Sequence, residues 1–324
     1  MKATIIEVAP RDGFQPIGPF IPTDEKVKYV EAAYAAGLRR IEIGSFVNPK
    51  AVPQLSDTGE LLRLTAHLRG LDAQVLVPNA RGVELALRAG ATHIVYVISA
   101  SDAHNLSNVR RDVATSISEY GEVVAQLPAG VRLRLNLATA FDCPFDGRMQ
   151  EALVLDQLGR MLERRRDVEV GLCDTTGRAD PEHVASLAAT CLRRWGGETR
   201  FAFHGHDTYG LGLANVAAAW RVGVSNIDTA FAGLGGCPFA PGATGNTATE
   251  DVVWMFNRMG VDVGVDMQAL LALSRRAALL PGGSPGGRVR TALAAAEAAN
   301  CRYRRKITRK IQGRKQCESH VAMH

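Results

Sequence analysis

No apolar run in the 324-residue chain approaches the ~18–20 residues needed to cross a bilayer, so a helical membrane anchor is not expected. Cysteine is sparse: six residues, at 143, 173, 191, 237, 301 and 317, form no C-x-x-C pair and no zinc-finger spacing. A thiolate zinc module and a disulfide-stapled module are both disfavoured, and free thiols are the default without an export signal. The N-terminal stretch MKATIIEVAPRDG has no secretory or Arg/Ser-rich transit pattern and carries carboxylates by Asp12, so a cytoplasmic location is expected. Aromatic residues amount to only 6% and barely interleave with the basic charges, leaving no base-stacking platform for a nucleic acid.

What is present is the composition of a folded globular chain. Hydrophobic residues make up 46% and charged residues 22%, enough for a sizeable core. The net charge of +5 is unevenly spread. The stretch from Cys301 to His324 holds eight Lys/Arg against Glu318 alone, so the preceding 300 residues are mildly acidic at −2. Such a basic run reads first as a solvated tail; an arm for an anionic surface is the other reading.

Short β-rich runs alternate with helical stretches. Strands are predicted at 4–12, 39–46, 72–78, 93–100, 131–140, 167–174, 200–207 and 226–234. Helices are predicted at 24–36, 56–69, 80–89, 105–126, 150–165, 181–195, 211–222 and 248–259, with a ninth at 266–279 and an Ala-rich one at 289–299. Eight such units over roughly 255 residues predict an α/β fold of the TIM (β/α)8 barrel type, with a C-terminal helical extension and a basic tail. An open dinucleotide-binding sheet is the alternative, but the first turn reads APRDGFQ and lacks G-x-G-x-x-G. The expected units are a catalytic barrel with its following helix at 1–285, and a helix plus tail at 286–324.

In such a barrel the site forms at the C-terminal ends of the strands. Arg11 and Asp12 end strand one, Glu42 lies on strand two, and His204-Gly205-His206 lies on strand seven. Two histidines two apart on a strand share a face, which suits a divalent metal; equally, one could be a hydrogen-bonded core histidine and the other exposed. Asp12 at the same rim favours the metal, and Asn246 in the last loop can add an amide oxygen. Two imidazoles, a carboxylate, an amide and open positions suit octahedral Mg²⁺ or Mn²⁺. Arg11 can stabilise an oxyanion or simply pair with Glu42. Cys237, among glycines and prolines, is either a small buried thiol or a lid thiol able to pass a proton. Cys143 and Cys173 read as packing thiols, and Asp174 as a group that orients a ligand. His93 and His104 have no evident partner, and Lys50 is a phosphate-contact candidate.

With those residues in place, EVAPRDGFQ, GSFVNPKAVPQLSD, DCPFDG, FHGHDTYGLGLAN and AGLGGCPFAPGATGNTATED resemble segments of the 3-hydroxy-3-methylglutaryl-CoA lyase branch of the metal-dependent lyase and Claisen-condensing barrels. The resemblance runs through most of residues 4–260. It implies Asp12, His204, His206 and Asn246 as ligands of Mg²⁺ or Mn²⁺. It further implies Arg11, Glu42 and Cys237 as catalytic groups, with Arg11, Asn108 and Thr175 contacting substrate. The implied reaction cleaves 3-hydroxy-3-methylglutaryl-CoA to acetyl-CoA and acetoacetate, a step of leucine degradation. Two departures from the family pattern, Pro16-Ile17-Gly18-Pro19 after Gln15 and Cys173 in place of a glycine, bear on the acyl group, and two alternatives stay open. One is a related acyl-CoA, citramalyl-CoA or a longer 3-hydroxy-3-alkylglutaryl-CoA; the other is a Claisen-condensing or aldolase reaction. The expected partner is a small acyl-CoA molecule, not a membrane or a nucleic acid, and a homodimer stays open.

Overall fold

The computed structural model describes residues 2–236, 245–296 and 298–299. Eight parallel strands close into a barrel: β1 Thr4–Glu7, β2 Arg40–Ser45, β3 Asp72–Val77, β4 His93–Ser99, β5 Arg132–Ala138, β6 Glu169–Asp174, β7 Arg200–Gly205 and β8 Asn226–Thr229. Neighbours in sequence are neighbours in the barrel, and β8 closes on β1 with Ile6 opposite Asp228. Among the described residues the helices are α1 Thr23–Ala35, α2 Thr58–Thr65, α3 Ala80–Arg88, α4 Asp102–Val109, α5 Val113–Gln126, α6 Glu151–Leu162, α7 Pro181–Trp195, α8 Gly212–Arg221, α9 Thr249–Arg258 and α10 Met267–Ala277, and residues 289–296, inside the predicted Ala-rich helix, are helical as well. A two-stranded hairpin pairs Asp142–Cys143 with Gly147–Arg148. None of these helices is long and apolar enough to cross a membrane.

All eight predicted strands form, but two stop five residues early. The first ends at Glu7, and Ala9–Gly13 winds into a π-type turn in which the Val8 carbonyl accepts from the Asp12 amide at 2.7 Å. Such turns are rare and gather at functional sites. The last ends at Thr229, because Phe231–Gly233 tightens into a 3₁₀ turn around Ala232, whose φ is +59°. The predicted 105–126 helix is two helices. Arg110 sits in the left-handed region at φ +59°, and Asp112 starts α5 by accepting from the Thr115 amide.

Successive strand residues point to opposite faces, so every second one enters the barrel. On the outer side, Ile, Val and Leu pack against the helices. On the inner side the lower half is charged rather than aliphatic. Arg134 is fully buried and bonds both oxygens of Asp228, at 2.9 and 2.7 Å. Arg40 bonds Glu169 at 2.8 and 3.1 Å, and Asn226 donates to Glu169 at 2.7 Å. A buried pair is roughly neutral for stability when complete and expensive when broken, so this layer fixes geometry more than it adds stability.

Candidate metal centre

The π-type turn is what aims Arg11 and Asp12 into the mouth of the barrel. It is held by Glu7, whose carboxyl accepts from the Ala9 amide (2.9 Å), the Phe231 amide (3.0 Å) and the Thr249 hydroxyl (2.7 Å). One buried side chain thus ties the ends of β1 and β8 to the start of α9. Burial pushes that carboxyl up to about 8.

His204 and His206 rise from the end of β7 on one face, their rings 5.1 Å apart. Each Nε2 approaches Asp12 Oδ2, at 3.9 Å from His204 and 3.6 Å from His206. Ligand atoms of the three residues all lie within 4.8 Å of one another. That spacing accommodates one central ion at bond lengths of about 2.1 Å. Asn246 reaches the same point through backbone pairing: it bridges His206, and Thr247 donates to the Gly205 carbonyl at 3.0 Å. Its Nδ2 donates to Asp12 Oδ2 (2.7 Å) and to the Leu234 carbonyl (3.0 Å), while its Oδ1 is buried without a hydrogen bond. A half-turn of the amide exchanges the two atoms. Two imidazoles, a carboxylate and an unsatisfied buried amide oxygen fit a hard divalent cation better than they fit one another.

The electrostatics agree. Burial opposes ionisation of Asp12, but Arg11 and the two histidines outweigh it and hold the carboxyl far below its ordinary range. Burial holds His206 below its usual value against the pull of Asp12, so the ring is neutral and able to ligate. His204 Nδ1 lies 3.1 Å from Asp228 Oδ2, which leaves Nε2 for the site. Arg11 bonds Asp12 at 2.5 Å and Glu42 at 2.8 Å. Burial works against its charge, yet Asp12 and Glu42 keep the guanidinium above its ordinary value. Burial likewise pushes Glu42 up, against Arg11.

Arg11, Asp12, His204 and His206 line a cavity of about 580 Å³ that also takes in Asn108, Thr175, Cys173 and His104, while Glu42, Asn246 and Asp228 are buried beside it and do not line it. Thr175 accepts from the Thr139 amide at 2.8 Å. Lys50 is exposed and does not line the cavity. Cys237 lies outside the described residues; Gly236, just before it, lines the cavity. Cys143 packs as expected, donating to the Ser101 hydroxyl. Cys173 is buried, but its side chain belongs to the cavity wall as well as to the packing. Asp174 is not the orienting group: its carboxyl accepts from the Ala179 amide, and the carboxylate behind His204 is Asp228. His93 meets Asp72 at 2.9 Å, and His104 meets the Ser99 hydroxyl at 2.6 Å. Sequence reasoning missed Asp228, Arg134 and Glu7. A clue to the first two was available, since a parallel strand buried on both faces should be aliphatic throughout, and RLRLN and NIDT are not.

The HMGL-like family model matches residues 2–276. The chain is 41% identical to the (R)-citramalyl-CoA lyase of Chloroflexus aurantiacus, over 84% of this chain and 88% of that protein. It is 37% identical to the mitochondrial hydroxymethylglutaryl-CoA lyase of Bos taurus, over 83% of each. A solved HMG-CoA lyase from Acinetobacter baumannii, in complex with coenzyme A and 3-methylmalate, superposes with a TM-score of 0.84 at 37% identity, covering 90% of this chain and 95% of that one. With the family matched over the whole barrel, the chain belongs to the HMGL-like family and is a carbon–carbon lyase of the hydroxymethylglutaryl-CoA lyase type.

Proposed function

We propose that this protein cleaves 3-hydroxy-3-methylglutaryl-CoA to acetyl-CoA and acetoacetate with Mg²⁺ or Mn²⁺ held by Asp12, His204, His206 and Asn246. The observation that carries the reading is the convergence of Asp12 and both imidazoles beside Arg11 in one cavity. The bound cation supplies Lewis-acid charge that lowers the pKa of the tertiary hydroxyl. The hydroxyl proton passes to a base, the bond between the tertiary carbon and the thioester α-carbon breaks, and its electron pair enters the thioester as an enolate. Arg11, pinned by Glu42, meets the charge that develops on the thioester oxygen. The Cys237 thiol delivers the proton that turns the enolate into acetyl-CoA. Asn108 and Thr175 contact substrate from the cavity wall. A cytoplasmic place and a role in leucine degradation accompany this reading.

Incubation with 3-hydroxy-3-methylglutaryl-CoA and Mg²⁺ should release acetyl-CoA and acetoacetate, and EDTA should stop it. Absence of cleavage with metal present rejects this substrate. A second reading, citramalyl-CoA as substrate, is favoured by the Chloroflexus relative. Release of pyruvate from citramalyl-CoA, faster than acetoacetate from the first thioester, would select it.

A further inference from the structure

The reading above leaves one buried sulfur in the cavity without a task. Cys173 lies in register with His204 on the neighbouring strand, is 5% exposed, and lines the same cavity as Asp12 and both imidazoles. Its thiol lies 3.5 Å from the Gly171 carbonyl, beside the Arg134–Asp228 and Arg11–Glu42 pairs. Burial pushes the thiol up, so it stays neutral and acts through its volume.

Beneath it the barrel is closed. A Cβ at Gly171 would come within 2.3 Å of Asn136 Oδ1 and 2.6 Å of Arg134 Nη2, so those side chains already fill the level below. A ligand entering from the mouth can go no deeper than Cys173 and Asn136, and Val97, Ala138 and Leu76 are among the other residues lining the cavity. We propose that Cys173 is the specificity-determining residue of the acyl pocket, its sulfur filling the floor beside His204 and limiting the bulk carried by the tertiary carbon of the substrate. This rests on the lyase reading for the choice of substrate.

The test compares wild type, Cys173→Ala and Cys173→Ser on 3-hydroxy-3-methylglutaryl-CoA and its 3-propyl homologue with Mg²⁺. A mismatch of one methylene in an apolar pocket is worth roughly 10–200-fold in kcat/KM. Cys173→Ala should therefore raise the propyl-to-methyl ratio about 10-fold or more, while the near-isosteric Cys173→Ser keeps the wild-type ratio. Calorimetric affinities of the two free diacids should shift in the same sense and do not depend on turnover. An unchanged ratio in Cys173→Ala overturns the assignment. A shift in Cys173→Ser equal to that in Cys173→Ala assigns the effect to polarity and also overturns it. If wild type cleaves neither thioester, the substrate reading falls, and the diacid affinities still decide the role of Cys173.

Discussion

Asp228→Asn separates the two tasks that meet on one carboxylate. Asp228 takes both Arg134 donors on its two oxygens and faces His204 Nδ1 with Oδ2. An amide of the same shape has one acceptor. If the new NH₂ replaces Oδ2, it opposes Arg134 and also presents a donor to His204 Nδ1, moving the ring proton to Nε2, where it blocks ligation. Removing one partner of a buried pair costs about 3–5 kcal/mol. Arg134 keeps the Asn136 oxygen at 2.7 Å and Glu169 at 3.4 Å, so we expect the lower end, about 3 kcal/mol. Loss of the group that orients a metal-bound histidine weakens affinity about 10–100-fold. Urea denaturation of metal-free protein reads the first quantity, and Mn²⁺ titration followed by electron paramagnetic resonance reads the second. A variant that loses stability yet binds Mn²⁺ within twofold of wild type would refute the orienting role and leave Asp228 as a partner of Arg134 alone.

Mg²⁺ or Mn²⁺ at 100 times its dissociation constant should raise unfolding stability by about 2.7 kcal/mol, and Asp12→Ala should abolish the gain; a gain surviving that variant would move the ion elsewhere. Arg11→Gln should lower kcat about 10²–10³-fold, the usual effect of losing one oxyanion donor, and a kcat within threefold of wild type rejects that role. Cys237→Ala should lower turnover about 10²-fold or more in the acetyl-CoA release assay, and near-normal turnover takes the thiol out of the proton transfer. Glu7 stays protonated in the folded chain up to about 8 against its ordinary 4.5, so the stability it contributes is full below pH 4.5 and is lost as pH rises through about 8. The ceiling, at about 1.4 kcal/mol per pH unit, is about 5 kcal/mol. In Glu7→Gln the amide can donate to the Thr249 hydroxyl, which donates onward to Thr229, so this variant should flatten the decline between pH 5 and pH 8; curves parallel to wild type would count against it.

The eight strands were legible because each is a short run of β-branched, aromatic or leucine residues, bounded by turn residues, and the count alone closes a barrel. The rim residues were legible for a related reason. Polar side chains gathered at one end of otherwise apolar strands are candidates for a site, so Asp12, Glu42, His204 and His206 stood out. What periodicity could not supply was the π-type turn at Ala9–Gly13. It depends on Glu7 reaching the Phe231 amide 224 residues away, and no local pattern encodes a contact of that range. The break between α4 and α5 was missed because Arg110 is a good helix former that takes a left-handed conformation here. Asp228 was hidden because its partners Arg134 and His204 come from two other strands, and only the barrel register brings the three together.

That register also explains why a charged floor suits this site. The groups around and beneath the cavity pair Arg11 with Asp12 and Glu42, Arg40 with Glu169 and Asp72, and Arg134 with Asp228, so acids outnumber arginines. Charges interact strongly in such a low-dielectric interior, and an aliphatic floor would leave a dication there poorly compensated. Pairing each arginine below with its own acid neutralises those positive charges before they reach the candidate metal site, so the field at the mouth is set by Asp12 and the two imidazoles. Arg11 is the exception, because it touches Asp12 itself. With a cation bound as proposed, its charge would sit next to that ion, weakening the hold on a bare cation and strengthening the hold on an anionic substrate that binds both. The physical expectation is mutual reinforcement. Mn²⁺ affinity should rise when the free diacid is present, and Arg11→Gln should tighten Mn²⁺ alone while removing most of that reinforcement. A variant that binds Mn²⁺ more weakly, with the reinforcement intact, would show that Arg11 serves only to hold Asp12 in place.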